Sequence, residues 1–253
     1  MRIKLTLFNP RGDTTKIPPN YLESVQALIY QLMERNISEI IHDSGFTDPK
    51  TKRKFKLFTF SRLIPTKGSR LENGLLNLRG DIKLVIASPI SDVMMSLATK
   101  VLLLGSIRIF DKNLIVKKVE IEETNFSNGK SLVKTLSPIT VYSTLLTATG
   151  KKKTYYYSPF EEEFSNLLIQ NLVKKYRALT GKDVNYEGYI KPRQITKKDM
   201  KIVMYKGTVV KAWDGIFEVC LPPNLFKIAM EAGLGSKNSQ GFGCLELLNG
   251  HTN

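Results

Sequence analysis

The first half of the chain alternates between two hydrophobic periods. Residues 2–8 place an apolar side chain at every second position, which is typical of a half-buried strand. Elsewhere apolar residues recur every three or four positions, as on one face of a helix. Strands are predicted over 2–8, 55–62, 81–88 and 105–116, and helices begin near Pro18-Pro19-Asn20 and near Pro89. This β-α-β-β-α-β order is that of a ferredoxin-like domain.

The second half repeats the plan without obvious sequence identity. Strands are predicted over 116–122, 131–136, 183–193, 200–212, 215–221 and 244–248, with helices over 159–179 and 222–232. A turn at Asn128-Gly129 is expected to join the first two of these strands. We therefore expect an α+β protein of two tandem ferredoxin-like (βαββαβ) domains, residues 1–117 and 118–253.

A short helical segment follows the first long helix. Ser38 can cap its N-terminus and Gly45 can end it, which places His42 in its last turn. In the preceding helix, Tyr30 lies off the centre of the apolar stripe. Packing of Tyr30 at the edge of a core is as compatible with this position as a functional role.

A glycine loop, Gly233 to Gly243, holds four glycines and Lys237 between a helix and a strand. Its order is the reverse of a Walker loop or a dinucleotide fingerprint, in which a helix follows the glycines. Backbone amides of such a loop, together with Lys237, can face an anion. A helix C-cap at Gly233 followed by a flexible turn is the alternative explanation.

The net charge of the chain indicates which class of molecule it could bind. The chain carries 38 lysines and arginines against 23 acids, a net charge of +15, which favours a polyanion such as nucleic acid or an anionic surface. Segment 49–71 has no acid, interleaves its cations with aromatics, and contains Lys50, Lys52, Arg53, Lys54, Lys56, Arg62, Lys67 and Arg70. A solvated charged loop leading into a core strand would leave the same pattern.

Candidate chemistry is limited by the scarcity of histidine. His251 is third from the end of the sequence, which leaves His42 as the single plausible imidazole acid or base. Neither a histidine-rich metal site nor the aspartate cluster of a two-metal nuclease is visible, so we expect no metal and no cofactor. Two cysteines without CxxC spacing indicate a reduced, cytoplasmic protein, and no apolar run approaches a membrane span.

Acid–base chemistry in a basic setting suits one reaction well. A ribose 2′-OH can attack its own neighbouring phosphate, so a protein need only position the RNA, move protons and stabilise charge. His42 could protonate the departing 5′ oxygen, a lysine could offset the charge on the phosphate, and Tyr30 could orient the 2′-OH. A helix-end role without catalysis stays open for His42 at this point.

Five segments in order resemble a known family. The glycine loop is very similar to the signature loop of the CRISPR-associated endoribonuclease that processes precursor crRNA, the sixth Cas family of the repeat-associated mysterious protein (RAMP) superfamily. The other four segments are Leu28-Ile29-Tyr30, Ile41-His42 before a glycine, Lys56-Leu57-Phe58-Thr59-Phe60-Ser61 and Thr135-Leu136-Ser137-Pro138-Ile139. The resemblance covers essentially the whole chain.

This resemblance implies metal-independent cleavage within CRISPR repeat RNA, leaving a 2′,3′-cyclic phosphate and a 5′-OH. It places the family's tyrosine, histidine and lysine on Tyr30, His42 and Lys56. Because the loop between His42 and Lys56 is longer and more basic than the family pattern, Lys52 or Lys54 could take the role of Lys56. The expected RNA-binding residues are Lys52, Arg53, Lys54, Arg62, Gly233, Gly235, Lys237, Asn238, Gly241 and Gly243.

Two other functions are compatible with the sequence. A catalytically silent subunit that binds repeat RNA in an effector complex would share the fold, the charge and the glycine loop. A general RNA-binding module would bind with little preference for repeat sequence and with steep salt dependence. The sequence leaves open whether the RNA forms a hairpin, whether the protein dimerises and whether it joins an effector complex.

Overall fold

The computed structural model describes residues 1–123, 130–147 and 149–248. The predicted turn at Asn128-Gly129 and His251 lie outside these residues. In the first half the elements are β1 (Arg2–Phe8), β2 (Thr14–Ile17), α1 (Leu22–Leu32), α2 (Arg35–Glu39), a π-helical turn (Ile40–Ser44), β3 (Phe46–Thr47), β4 (Lys54–Phe55), β5 (Thr59–Phe60), β6 (Ile64–Pro65), β7 (Ser69–Glu72), β8 (Leu75–Arg79), β9 (Ile82–Ala87), α3 (Ser91–Leu104), β10 (Ser106–Ile109) and β11 (Lys112–Glu122).

The first half forms an antiparallel sheet in the order β10-β11-β1-β9-β5, and β6 also pairs with β9. Strand β1 lies at the centre because Ile3, Leu5 and Leu7 alternate inward and are almost fully buried. Helices α1 and α3 contact one another, and apolar side chains of both belong to the same core as β1. This is the predicted ferredoxin-like arrangement, with the small sheet β2-β8-β7 added to it.

The second half forms a second four-stranded sheet in the order β15-β18-β12-β19. Two hairpins, β13–β14 and β16–β17, interrupt its βαββαβ order, so the single strand predicted over 200–212 is two strands. Its elements are β12 (Lys130–Thr135), β13 (Tyr142–Leu146), β14 (Lys152–Tyr156), α4 (Glu162–Thr180), β15 (Tyr189–Gln194), a 3₁₀ turn (Lys197–Asp199), β16 (Met200–Tyr205), β17 (Thr208–Trp213), β18 (Ile216–Cys220), α5 (Pro223–Ala232), a 3₁₀ turn (Asn238–Gln240) and β19 (Leu245–Leu248).

The strand at the junction of the halves differs from the prediction. Residues 116–122 were expected to open the second half, but β11 continues to Glu122 and pairs with β1 along its length. An amphipathic strand is equally suited to either sheet, and only the long-range pairing assigns it to the first. We therefore propose a domain boundary between Glu122 and Lys130, rather than at 117/118.

The segment between β4 and β5 connects two separate hydrophobic cores. The predicted continuous strand 55–62 is broken at Leu57, whose φ of 49° lies in the left-handed region. Phe55 and Leu57 pack in the core of the second half, whereas Phe58 and Phe60 pack in that of the first. The aromatics on both faces of this segment therefore serve two domains.

Candidate active site

A π-helical turn presents His42 to solvent. Ile41 of this turn is buried in the first core, whereas the side chain of His42 is 69% exposed. The turn ends at Gly45, as predicted, but α2 begins at Arg35, so Ser38 lies inside the helix and does not cap it. Gly45 has a φ of 61°, and a Cβ there would lie 2.7 Å from the carbonyl oxygen of Phe55. Only glycine fits this close crossing of two chain segments.

Aromatic contacts fix one side of the imidazole. The rings of Tyr30 and His42 pack edge to face with centroids 5.3 Å apart. On its other side, the Tyr30 ring meets Phe58 in the same way at 5.5 Å. Phe58 is fully buried, so it anchors the half-buried Tyr30 and through it the histidine.

Polar contacts hold the remaining groups of the turn. The Nδ1 atom of His42 lies 2.7 Å from Oδ1 of Asp43, and Nζ of Lys56 donates a hydrogen bond to the backbone carbonyl of His42. Partial burial lowers the pKa of Lys56, an effect that the carboxylate of Asp43 opposes. This lysine is thus tied to the backbone of the histidine, and the Nε2 edge of the ring has no protein partner among the described residues.

The structure brings Tyr30, His42 and Lys56 into one open cleft of about 440 Å³. We call these three residues the catalytic trio, after the roles that the resemblance implies for them. Burial raises the pKa of Tyr30 to about 12, so its phenol is protonated at neutral pH. Such a group donates a hydrogen bond and is a poor base. The remaining lining residues, which sequence reasoning missed, are Glu23, Gln26, Ala27, Ser38, Lys206, Ser239 and Gln240.

The cationic side chains that were predicted to bind RNA lie in three separate parts of the structure. Arg53 and Lys54 are exposed and line a second pocket of about 150 Å³, together with Lys56 and Lys237. This pocket shares Lys56 and Ser239 with the cleft, so the two are continuous. Exposed Lys52 lines neither of them.

Arg62 lies apart from this group. It pairs with Asp214 at 2.8 Å and lines a third cavity of about 460 Å³ between the two sheets. Lys4, Lys83 and Lys134 line the same cavity. The structure therefore gives Arg62 a different basic surface from the one around the catalytic trio.

The glycine loop is buried rather than open to a ligand. A Cβ on Gly243, whose φ is 70°, would overlap the carbonyl oxygen of Leu234, so close packing explains this glycine. The amides of Gly241 and Gly243 donate to carbonyls within the chain, at 3.0 and 2.9 Å. Packing likewise accounts for Gly233 and Gly235, which are also buried. We therefore narrow the predicted RNA contact of this loop to Lys237, which is partly exposed.

A buried lysine holds the glycine loop. Nζ of Lys175 donates to the carbonyls of Gly233 and Gly235 and to Oδ1 of Asn238, at 2.6, 3.0 and 2.6 Å. Asn238 is itself buried and donates to two further loop carbonyls. Burial lowers the pKa of Lys175. Nothing in the spacing of Lys175 along the sequence indicated that it would be buried.

The described part of the chain shows neither a metal-binding cluster nor a membrane-spanning helix. There, no cluster of three or more histidine, cysteine or acidic side chains has the geometry to hold a metal ion. Over the same ranges, no helix combines the length and hydropathy needed to cross a bilayer. Cys220 and Cys244 are free thiols.

Solved structures define the class of this fold. The chain superimposes on a Cas6-related protein from Pyrococcus furiosus with a TM-score of 0.83 at 20% identity, covering 98% of each chain. It also matches a CRISPR associated protein Cas6 with a TM-score of 0.78 at 26% identity, over 98% of this chain and 99% of the other. The protein therefore has the two-domain fold of these Cas6 structures.

Sequence comparison then gives the family. The model "CRISPR-associated protein Cas6, N-terminal" matches residues 16–120, and "CRISPR associated protein Cas6, C-terminal" matches residues 120–247. The chain belongs to the Cas6 family. It is 29% identical to CRISPR-associated endoribonuclease Cas6 1 of Methanocaldococcus jannaschii, over 96% of this chain and 91% of the relative. Identity to the Cas6 endoribonuclease of Pyrococcus furiosus is 26%, over 92% and 84% of the two chains.

Proposed function

We propose that this protein is an endoribonuclease that cleaves the repeats of precursor crRNA in the cytoplasm. The observation that carries the proposal is the meeting of Tyr30, His42 and Lys56 in one solvent-open cleft beside a cation-lined pocket. Membership of the Cas6 family, whose curated relatives are named endoribonucleases, supports it.

The chemistry follows from the contacts of the imidazole. A protonated His42 donates Nδ1–H to Asp43 and keeps Nε2–H for the departing 5′ oxygen. The 2′ oxygen forms a bond to phosphorus as the P–O5′ bond breaks, and the 2′ proton passes to water. The products are a 2′,3′-cyclic phosphate and a 5′-OH.

Tyr30 and Lys56 have supporting roles in this mechanism. With a pKa of about 12, Tyr30 acts as a hydrogen-bond donor that orients the ribose. The ammonium of Lys56, which donates a hydrogen bond to the His42 carbonyl, offsets the charge that grows on the phosphate. Lys56 fits this role better than Lys52 or Lys54, because it alone of the three lines the cleft.

The neighbouring pocket supplies a path for the flanking phosphates. Its lining places Arg53, Lys54 and Lys237 on the surface that continues from the cleft through Lys56. None of the described residues that line this pocket is acidic, so Arg53, Lys54 and Lys237 can face a phosphate chain. We propose that the nucleotide next to the scissile bond lies here.

The test uses pure protein and repeat RNA in EDTA. We expect cleavage to persist in the chelator, the products to carry cyclic phosphate and 5′-OH ends, and a substrate with a 2′-deoxy group at the cut site to resist cleavage. Loss of cleavage in EDTA, or cutting of the 2′-deoxy substrate, would contradict this mechanism. Tight binding of repeat RNA without any product would instead indicate a silent RNA-binding subunit.

A further inference from the structure

A short hairpin separates two members of the catalytic trio. Strands β3 and β4 pair Phe46 with Phe55, and His42 and Lys56 lie just outside this base. The crossing of Gly45 over the Phe55 carbonyl and the bond from Lys56 to the His42 backbone join the two sides. The placement of the imidazole and of the ammonium therefore depends on how this hairpin is held.

Asp48 shapes the tip of this hairpin. Its side chain is fully buried although the lysines and arginine around it are exposed. Its amide donates to the Arg53 carbonyl and its own carbonyl accepts from the Lys52 amide, both at 2.9 Å. The carboxylate also accepts from the amides of Lys50 and Thr51. A buried carboxylate in a basic loop requires a strong partner, because unpaired burial of a charge is costly.

That partner comes from the other domain. Arg177 of α4 donates from Nε and Nη2 to the two oxygens of Asp48, at 2.7 and 2.9 Å. This fork is the strongest geometry of an arginine–carboxylate pair. Arg177 also reaches Asp183 at 3.1 Å, and Asp183 in turn pairs with Lys50 of the tip at 2.7 Å. The Arg177 guanidinium beside Asp48 holds the pKa of that carboxyl well below its usual range.

We propose that Asp48 and Arg177 are positioning residues that clamp the hairpin to the second domain and thereby align His42 with Lys56. This inference rests on the proposed cleavage function. The rest of the hairpin contacts support it, because Phe55 packs in the core of the second half and β3 and β4 both contact α4. The clamp lies at the tip and the reactive groups at the base, so neither residue lines the cleft.

The test separates alignment from folding and from RNA binding. The single-turnover cleavage rate is expected to fall at least tenfold in Arg177→Met. The same fall is expected in the milder variant Arg177→Lys, which keeps the positive charge but loses the fork of two hydrogen bonds to Asp48. The Kd for 2′-deoxy repeat RNA should change less than threefold. Asp48→Asn, which keeps an acceptor for the tip, should behave like Arg177→Lys.

Arg193→Met is the matched control. Arg193 pairs with Glu218 through Nε and Nη2 on the sheet of the same domain, far in sequence from the hairpin. The cleavage rate of the Arg193→Met variant should stay within twofold of wild type at a temperature where all variants are folded. A folded Arg177→Lys with a wild-type rate, or a rise in Kd as large as the fall in rate, overturns the proposal.

Hydrogen exchange provides a readout that does not depend on cleavage. We expect Arg177→Lys to speed exchange at least tenfold in peptides covering 40–46 and 54–58, and Arg193→Met to leave them unchanged. Unchanged exchange in Arg177→Lys overturns the clamp even if the cleavage rate of that variant falls. Faster exchange in a protein whose wild type does not cut RNA would retain the clamp and remove the proposed function.

Discussion

The turn that carries His42 and the glycine loop are both short helix-to-strand connections, yet they are built in opposite ways. The first leaves the side chain of His42 exposed and gives its imidazole one polar neighbour, Asp43. The second buries most of its length and satisfies its carbonyls from Lys175 and Asn238. The glycine-rich motif, which is conspicuous in the sequence, is therefore structural, and the less conspicuous turn carries the proposed reactive group.

The two regions nevertheless meet. Ser239 and Gln240, at the far end of the glycine loop, line the same cleft as His42. Gln26 of α1 donates to the Ser239 carbonyl at 2.6 Å, which ties the loop to the helix that bears Tyr30. A rigid loop therefore supplies one wall of the cleft, while the exposed turn supplies the imidazole.

The largest effect is expected from removing the imidazole. His42→Ala should lower the single-turnover cleavage rate about 10²- to 10⁴-fold, because a positioned acid contributes that much to proton transfer. Binding of 2′-deoxy repeat RNA should stay within about threefold of wild type. Asn36→Ala, an exposed change on α2, should retain the full rate. Unchanged cleavage in His42→Ala would show that the exposed turn does not carry the reactive group, and the contrast between the two regions would no longer hold.

The next effect is on stability rather than rate. Lys175→Met leaves three buried acceptors without a donor, so the free energy of unfolding should fall by about 3 kcal/mol. The melting temperature, followed by circular dichroism, should drop by about 6–12 °C. Lys174→Met, at the neighbouring half-buried position, should shift stability by less than about 0.5 kcal/mol. Equal melting temperatures for the two variants would show that the lysine does not hold the loop.

A smaller effect distinguishes orientation from base catalysis at Tyr30. Tyr30→Phe should slow cleavage about tenfold, the value of roughly one hydrogen bond. Because the pKa of Tyr30 is about 12, the phenol stays protonated between about pH 6 and 10, and the variant should keep the wild-type pH profile there. A tyrosinate base would make the wild-type rate rise with pH through this range, and the variant would lose that rise.

The smallest effect concerns Lys237, the lysine of the glycine loop, which lines the second pocket. The ammonium of Lys237 lies 5.5 Å from the Tyr142 ring, and Lys237→Ala should weaken RNA binding a few-fold. The slope of log Kd against log salt should fall by roughly one unit, as for the loss of one phosphate contact. Lys197→Ala, an exposed lysine outside both cavities, serves as the comparison. Identical slopes for the two variants would remove Lys237 from the RNA path.

The local pattern of apolar and polar residues was sufficient to predict much of the fold. Period-two alternation located β1 at residues 2–8, and helical spacing located α3 and α5 to within a residue or two. The break at Leu57 and the partner of β11 were not predictable in this way, because both depend on contacts with distant segments.

The residues of the candidate site likewise divide into those that the sequence could identify and those whose placement depends on distant contacts. Scarcity of histidine singled out His42, residue chemistry suggested Tyr30, and the resemblance agreed with both and added Lys56. Nothing in the spacing of Lys175 or Asp48 distinguishes them from solvated neighbours, since each is buried only through a partner more than 50 residues away. Glycine content suggested an open anion site, whereas close packing of backbone against backbone uses the same residue type.

The break in the strand at Leu57 has a mechanical consequence. Within six residues the polypeptide places two anchors, Phe55 and Leu57, in one hydrophobic core and the next two, Phe58 and Phe60, in the other. The halves cannot swing apart without pulling one set of anchors into water, at about 1.5–3 kcal/mol for each large side chain exposed. Heat or denaturant should therefore unfold the whole chain in one cooperative transition.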